Sequence, residues 1–133
     1  MLCEQDRVCT IVQARMASTR LPQKVMQLIV GRPMILLQLE RLKHSKYGRV
    51  PIIATSSDET DDLLTDVLIE SGYGVYRGSQ DDVLDRYYQA AKLYSPNHVV
   101  RITADCPLLD PQLVDQVVTR HIEADADYTS NTC

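Results

Sequence analysis

Apolar residues along this chain follow two rhythms. Short compact runs at residues 7–12, 50–54, 74–76 and 98–102 read as strands buried on both faces. Between them the spacing lengthens to that of an amphipathic helix. Ile35, Leu36, Leu39 and Leu42 share one face of a helix that Pro33 opens and that reaches residue 44. Leu63, Leu64, Val67 and Leu68 mark a second helix, capped by Ser57 or Asp58 and stopped at Gly72. A third spans residues 81–94 with Ser79 as its cap, and a fourth spans 111–124 with Asp110 as cap and Pro111 at its first position. Residues 25–29 form a brief apolar piece ended by Gly31.

Strand and helix alternate four times. That order predicts an α/β domain: a mostly parallel sheet with helices on both faces, in three layers. In such a sheet, ligand-binding residues belong in the loops past the carboxyl ends of the strands. There are no repeats and no low-complexity linker, so residues 1–133 read as a single domain.

Composition narrows the function. With no Trp and no Phe, aliphatic side chains and Tyr must fill the core. The net charge of -4 argues against a general nucleic-acid binder. The charge is uneven, however. Residues 13–49 hold eight Lys/Arg against one acid, whereas residues 57–92 hold nine acids against three bases. The basic half suits an anionic ligand near the first loop, although Arg41, Lys43 and Lys46 read as solvated helix faces. The cysteines at 3, 9, 106 and 133 include no C-x-x-C pair and suggest no zinc site. Cys9 falls in the first strand as a small core residue. No basic-then-apolar leader opens the chain and no apolar run approaches bilayer length, so a reduced, cytoplasmic protein without membrane contact is expected.

The candidate chemistry begins at Gln13-Ala-Arg-Met-Ala-Ser-Thr-Arg-Leu-Pro-Gln-Lys24. This stretch follows the first strand and turns small, polar and basic at once. Arg15, Arg20 and Lys24 bring three cations within ten residues, Ser18 and Thr19 add hydroxyls, and Ala14 and Ala17 leave the backbone uncovered. Guanidinium forks and an ammonium suit a polyanion such as a triphosphate. Neither common glycine-rich phosphate loop is present, and a solvated basic loop is the alternative. Two further loops stand at strand ends. In one, Arg77-Gly78-Ser79, Gly78 allows close backbone approach and Arg77 is placed to meet a base or phosphate. In the other, Asp105 reads either as a metal ligand or as a carboxylate capping nearby amides. Asp82 and Arg86, four apart, read as a helix-surface ion pair. Asp85 is a weaker candidate for the pocket, and Tyr87 and Tyr88 read as packing residues. No Ser-His-Asp or Cys-His set is legible.

These stretches carry a resemblance. Gln13 to Lys24, Arg77 to Tyr88 (R-G-S…D-V-L-D-R-Y-Y) and Arg101 to Pro111 (R-I-T-A-D-C-P-L-L-D-P) resemble, in order, the motifs of CTP:sugar cytidylyltransferases. The pattern is similar to that of the spore-coat polysaccharide biosynthesis branch, which is related to the acylneuraminate and 3-deoxy-manno-octulosonate enzymes. The resemblance implies a Rossmann-like, glycosyltransferase-A-type fold and transfer of CMP from CTP to an acidic sugar, with release of pyrophosphate. It implies nucleotide contacts from Ala14, Arg15, Ser18, Arg20, Lys24, Arg77, Ser79 and Thr103. It implies catalytic roles for Arg15, Lys24 and Asp105, with Mg²⁺ on Asp105. Two positions depart from the pattern: Gln23 stands where Gly is common, and Thr103 stands where the acylneuraminate and octulosonate enzymes have Gln.

Family members are nearly twice as long, so the resemblance implies the N-terminal part of a truncated nucleotidyltransferase domain. Residues 124–133 read as the approach to another strand. Uncovered sheet is expected to drive homodimers or higher self-association. Two rival readings remain: a non-catalytic nucleotide-binding fragment, and a nucleotide-sugar glycosyltransferase on the same fold. The second would normally carry D-x-D where this chain has Asp105-Cys106-Pro107.

Overall fold

Neighbouring side chains on the first strand leave the sheet in opposite directions, and both directions are buried. Ile11 packs with Cys9, Ile52, Ala54, Tyr87 and Ala90, while Val12 packs with Ile35, Leu39, Leu42, Ile53, Leu64 and Leu68. Two cores on the two faces of one sheet define three layers. The structure is a computed structural model and describes residues 7–132, so Cys3 and Cys133 lie outside the described residues.

In chain order the elements are β1 (Val8–Gln13), a 3-10 turn (Lys24–Met26), β2 (Leu28–Ile29), β3 (Arg32–Pro33), α1 (Met34–Leu42) and β4 (Ile52–Ser56). There follow a second 3-10 turn (Glu59–Asp61), α2 (Asp62–Glu70), β5 (Gly74–Gly78), α3 (Val83–Lys92), β6 (His98–Thr103) and α4 (Pro111–Glu123). Strands β5, β4, β1 and β6 form the main sheet in that order, every neighbouring pair parallel. Helices α1 and α2 cover one face, α4 joins them through Val114, and α3 covers the other. The expected three-layer α/β arrangement is present. β1 sits centrally, flanked by β4 and β6, so its carboxyl end opens between two other strand ends.

Several boundaries moved. Pro33 does not open α1 from inside. It ends a two-residue strand at φ -53°, ψ 133°, and the helix begins at Met34. The apolar piece before it divides into the 3-10 turn and a hairpin, β2 against β3, closed by Val30 (φ 51°) and Gly31 (φ 76°). Asp58 caps the second 3-10 turn, accepting the Thr60 amide at 2.9 Å, and Asp110 caps α4 through the Gln112 and Leu113 amides. Ser79 is not the α3 cap. It accepts the Asp82 amide one step upstream, and Asp82 caps the helix through the Asp85 amide at 2.9 Å. Residues 124–132 form no strand. Cys9 is buried as expected, and burial raises its thiol pKa. Tyr87 is buried, its hydroxyl donating to the Ile102 carbonyl, but Tyr88 is exposed.

Candidate functional site

The loop leaving β1 begins after Ala14, which still donates its amide to the Ala54 carbonyl at 3.1 Å before the chain turns across the strand ends. One residue then anchors it. The Met16 amide donates to Asp61 Oδ1 at 2.7 Å, and the Met16 carbonyl accepts the Gln23 amide at 2.8 Å. The Met16 side chain is in the core. Residues 17–22 therefore form a closed loop held at its neck. Gln23 closes that neck in the left-handed region, φ 58°, ψ 23°, the conformation that favours the glycine common at this position. Lys24 follows directly, and its Nζ stands 3.7 Å from Asp105 Oδ2.

The loop and the end of β6 enclose a cleft of about 630 Å³. Of the expected site residues, Ala14, Arg15, Ser18, Arg20, Lys24, Thr103 and Asp105 all line it, together with Gln13, Thr19 and Pro22. Three cations thus face a single carboxylate. The Thr103 hydroxyl donates to Asp105 Oδ1 at 2.6 Å, and the Cys106 thiol lies 3.6 Å from the same oxygen. The Thr103 hydrogen bond, with help from the Lys24 charge, holds the Asp105 carboxyl below its ordinary pKa against the opposing effect of burial. Asp105 is therefore an anion at neutral pH.

Arg77 and Ser79 lie elsewhere. The Arg77 guanidinium is engaged by the β4–α2 connection: Nε donates to the Ser56 carbonyl at 2.8 Å, Nη2 to the Asp58 carbonyl at 2.7 Å, and Nη1 pairs with Asp62 at 2.7 Å. Gly78 does permit a close approach, but of the protein to itself: a Cβ there would lie 2.8 Å from the Tyr76 ring and 3.3 Å from Arg86 Cγ. The expected Asp82–Arg86 surface pair does not form. Asp82 is extended at the helix start, and Arg86 turns inward, fully buried. Asp85 accepts from Gln89 and does not line the cleft.

Three residues hold the cleft in shape, two that sequence reasoning passed over and Arg86, which it read as a surface partner. Buried Gln38 of α1 donates to the Thr103 carbonyl at 2.8 Å and accepts the Cys106 amide at 3.2 Å, clamping the turn that presents Asp105. Buried Asp61 holds the Met16 amide. Arg86 donates to the Ser79 carbonyl at 2.8 Å and approaches the Gln80 carbonyl, which also accepts from Arg15 Nη1 at 3.0 Å. A signal existed for each. Gln38 lies on the stripe of Ile35, Leu39 and Leu42, Asp61 on that of Leu64, Thr65 and Leu68, and Arg86 on that of Val83, Tyr87 and Ala90. In each case a polar residue occupies the i or i+3 slot of an apolar face.

The Cytidylyltransferase family model matches residues 9–133, nearly the whole chain and every residue of the cleft. The chain belongs to the cytidylyltransferase family. It is 37% identical over 123 residues to the spore coat polysaccharide biosynthesis protein SpsF of Bacillus subtilis, covering 90% of this chain and 51% of that protein. It is 32% identical over 127 residues to the 3-deoxy-manno-octulosonate cytidylyltransferase of Brucella anthropi, covering 91% and 49%. A solved cytidylyltransferase from Leptospira borgpetersenii superimposes with a TM-score of 0.84 at 36% identity, over 89% of this chain and 50% of that one. The fold is that of the nucleotide-diphospho-sugar transferases, as the resemblance implied. The chain spans about half the length of the curated relatives it matches. Among the described residues no helix is long and apolar enough to cross a membrane.

Proposed function

We propose that this chain is the nucleotide-binding part of an enzyme that transfers CMP from CTP to an acidic sugar, in the synthesis of a surface or spore-coat polysaccharide. The observation that carries the reading is the convergence of Arg15, Arg20, Lys24, Ser18 and ionised Asp105 on one cleft at the end of β1. The family supplies the cytidylyl chemistry, and the sequence relatives supply the acidic-sugar and polysaccharide context.

A triphosphate entering the cleft meets cations on the loop side and a carboxylate on the β6 side. Arg15 and Lys24 bind its outer phosphates and offset the charge that gathers on departing pyrophosphate. Ser18, whose Oγ accepts the Leu21 amide at 3.3 Å, keeps its own proton for a phosphate oxygen. The attacking group is a sugar hydroxyl aimed in line at the α-phosphorus, so no covalent enzyme intermediate is required. Positioning and charge stabilisation carry the rate.

Among the described residues no group of three or more metal-binding side chains occurs. Mg²⁺ needs none, since it binds through one or two carboxylates together with substrate phosphates and retained water. Asp105, ionised and lining the cleft, fits that demand and would hold the ion. When bound, Mg²⁺ supplies Lewis-acid stabilisation of phosphate oxygens.

The test is titration with each of the four nucleoside triphosphates, with and without Mg²⁺. CTP is expected to bind best. Arg15→Ala and Lys24→Ala should each weaken it by about 1.5–3 kcal/mol, and Asp105→Asn should remove the Mg²⁺ response while the fold persists. Unchanged affinity in both cation variants would take the loop out of the site.

A further inference from the structure

Asp61 lies outside the cleft, and no motif above includes it. It is 1% exposed, and a carboxylate in that position must be compensated by hydrogen bonds and charge. Its Oδ1 accepts the Met16 amide, and its Oδ2 accepts both the amide and the hydroxyl of Ser56 at the end of β4. Ser56 is held from its other side by Arg77, which donates to the Ser56 carbonyl. A continuous hydrogen-bonded path therefore runs from Arg77 through Ser56 and Asp61 to the neck of the cationic loop.

A second, electrostatic link runs beside it. Arg86 is completely buried, and its Nε and Nη2 have no hydrogen-bond partner among the described residues. Burial, and then the nearby Arg15 charge, push the Arg86 pKa down, while the Asp61 carboxylate pulls it up. The Asp61 carboxylate thus acts electrostatically on Arg86, the guanidinium sealed in the core, whose neighbour Arg15 lines the cleft. The two guanidiniums converge on the Gln80 carbonyl, at 3.0 Å from Arg15 and 3.5 Å from Arg86.

We propose that Asp61 is a positioning residue for polyanion binding: by holding the Met16 amide from beneath the sheet end, it keeps the Arg15–Lys24 loop closed at its neck before ligand arrives. Without it the loop loses its only side-chain tether to β4 and the second 3-10 turn among the described hydrogen bonds, and Arg15 and Lys24 no longer face the cleft together. The inference rests on the proposed CTP reading for its ligand, but not for its mechanics.

Hydrogen exchange on the ligand-free chain and CTP titration separate those two parts. Asp61→Asn preserves size but removes the charge, and its single oxygen cannot accept from both the Met16 amide and the Ser56 donors. In that variant, exchange protection at the Met16 and Gln23 amides is expected to fall by at least about tenfold, with Ile11 and Ile53 unchanged. CTP affinity should fall about tenfold in otherwise native protein and less than twofold in an Arg15→Ala background, because a tether acting through the loop is non-additive with the loop's cation. Unaltered Met16 and Gln23 protection overturns the proposal, as does an equal affinity loss in both backgrounds. If native chain binds no CTP, the functional reading fails while the exchange result still decides the tether. Should Asp61→Asn not fold, Ser56→Ala removes one hydrogen bond to the same carboxylate. It is then expected to lower Met16 protection about two- to fivefold, and no change would overturn the proposal equally.

Discussion

At the scale of single residues the cleft is a matter of which atoms Asp105 can offer. Oδ1 is occupied by the Thr103 hydroxyl and Oδ2 faces Lys24, so both oxygens are kept charged by neighbours that a ligand can displace. The depressed pKa gives a signed expectation. A carboxyl lowered in the folded state contributes stability that is present above its unfolded pKa and lost as pH falls through the folded value. Thr103→Val removes the largest cause of the depression, so the Asp105 pKa should rise toward the ordinary aspartate value and that acid window should narrow. A carboxyl-carbon NMR titration reads this directly, and an unmoved titration would mean that the hydroxyl is not what holds the charge.

At the scale of elements, helices act on the cleft through the polar residues on their buried faces. Gln38 is the clearest case, since its two hydrogen bonds span the turn between Thr103 and Cys106. Gln38→Met keeps the volume and abandons both partners. Each orphaned backbone group costs about 1–3 kcal/mol, so the thermal midpoint should drop and the Mg²⁺ response of nucleotide binding should weaken. A loss of stability alone would restrict Gln38 to packing. The β2–β3 hairpin offers the opposite sign. Val30 is 97% exposed and sits at φ 51°, where a β-branched residue is strained and gains nothing from packing. Val30→Asn should stabilise by about 1 kcal/mol, because Asn tolerates this region in two-residue hairpins, and a thermal melt decides it.

At the scale of the whole molecule the sheet has a centre suited to binding and an outer strand left bare. Among the described residues β6 pairs with β1 on one side only, Val99 on it is 48% exposed, and an apolar groove lined by Val100, Leu109, Leu113, Val114 and Val117 runs beside it. An open edge with apolar flanks is a template for further pairing. Light scattering is expected to give a mass above the monomer, and Val99→Lys is expected to bring it down. A monomer at all concentrations would show that edge to be inert.

The hydrophobic rhythm and residue types of the sequence alone determined the order of the main strands and helices, the parallel sheet, the Asp110 cap, a cap at either Ser57 or Asp58, and the placing of the basic loop and Asp105 at strand ends. All of these follow from local periodicity and from residue types whose backbone preferences act over a few positions. The three motifs likewise announced the family. Tertiary structure decided what depended on contacts between distant residues. Arg77 belongs by sequence to a recognised motif, yet its guanidinium is taken by the β4–α2 connection 19 and 21 residues away. Arg86 has a legible surface partner in Asp82 and instead lies in the core, because the stripe shared with Val83, Tyr87 and Ala90 faces the sheet. Asp61 meets Met16 across 45 residues and Gln38 meets Thr103 across 65. A polar residue on an apolar stripe tells the reader that a buried partner must exist, since an unpaired polar group is too costly to keep there. Only the folded chain can say which loop supplies it.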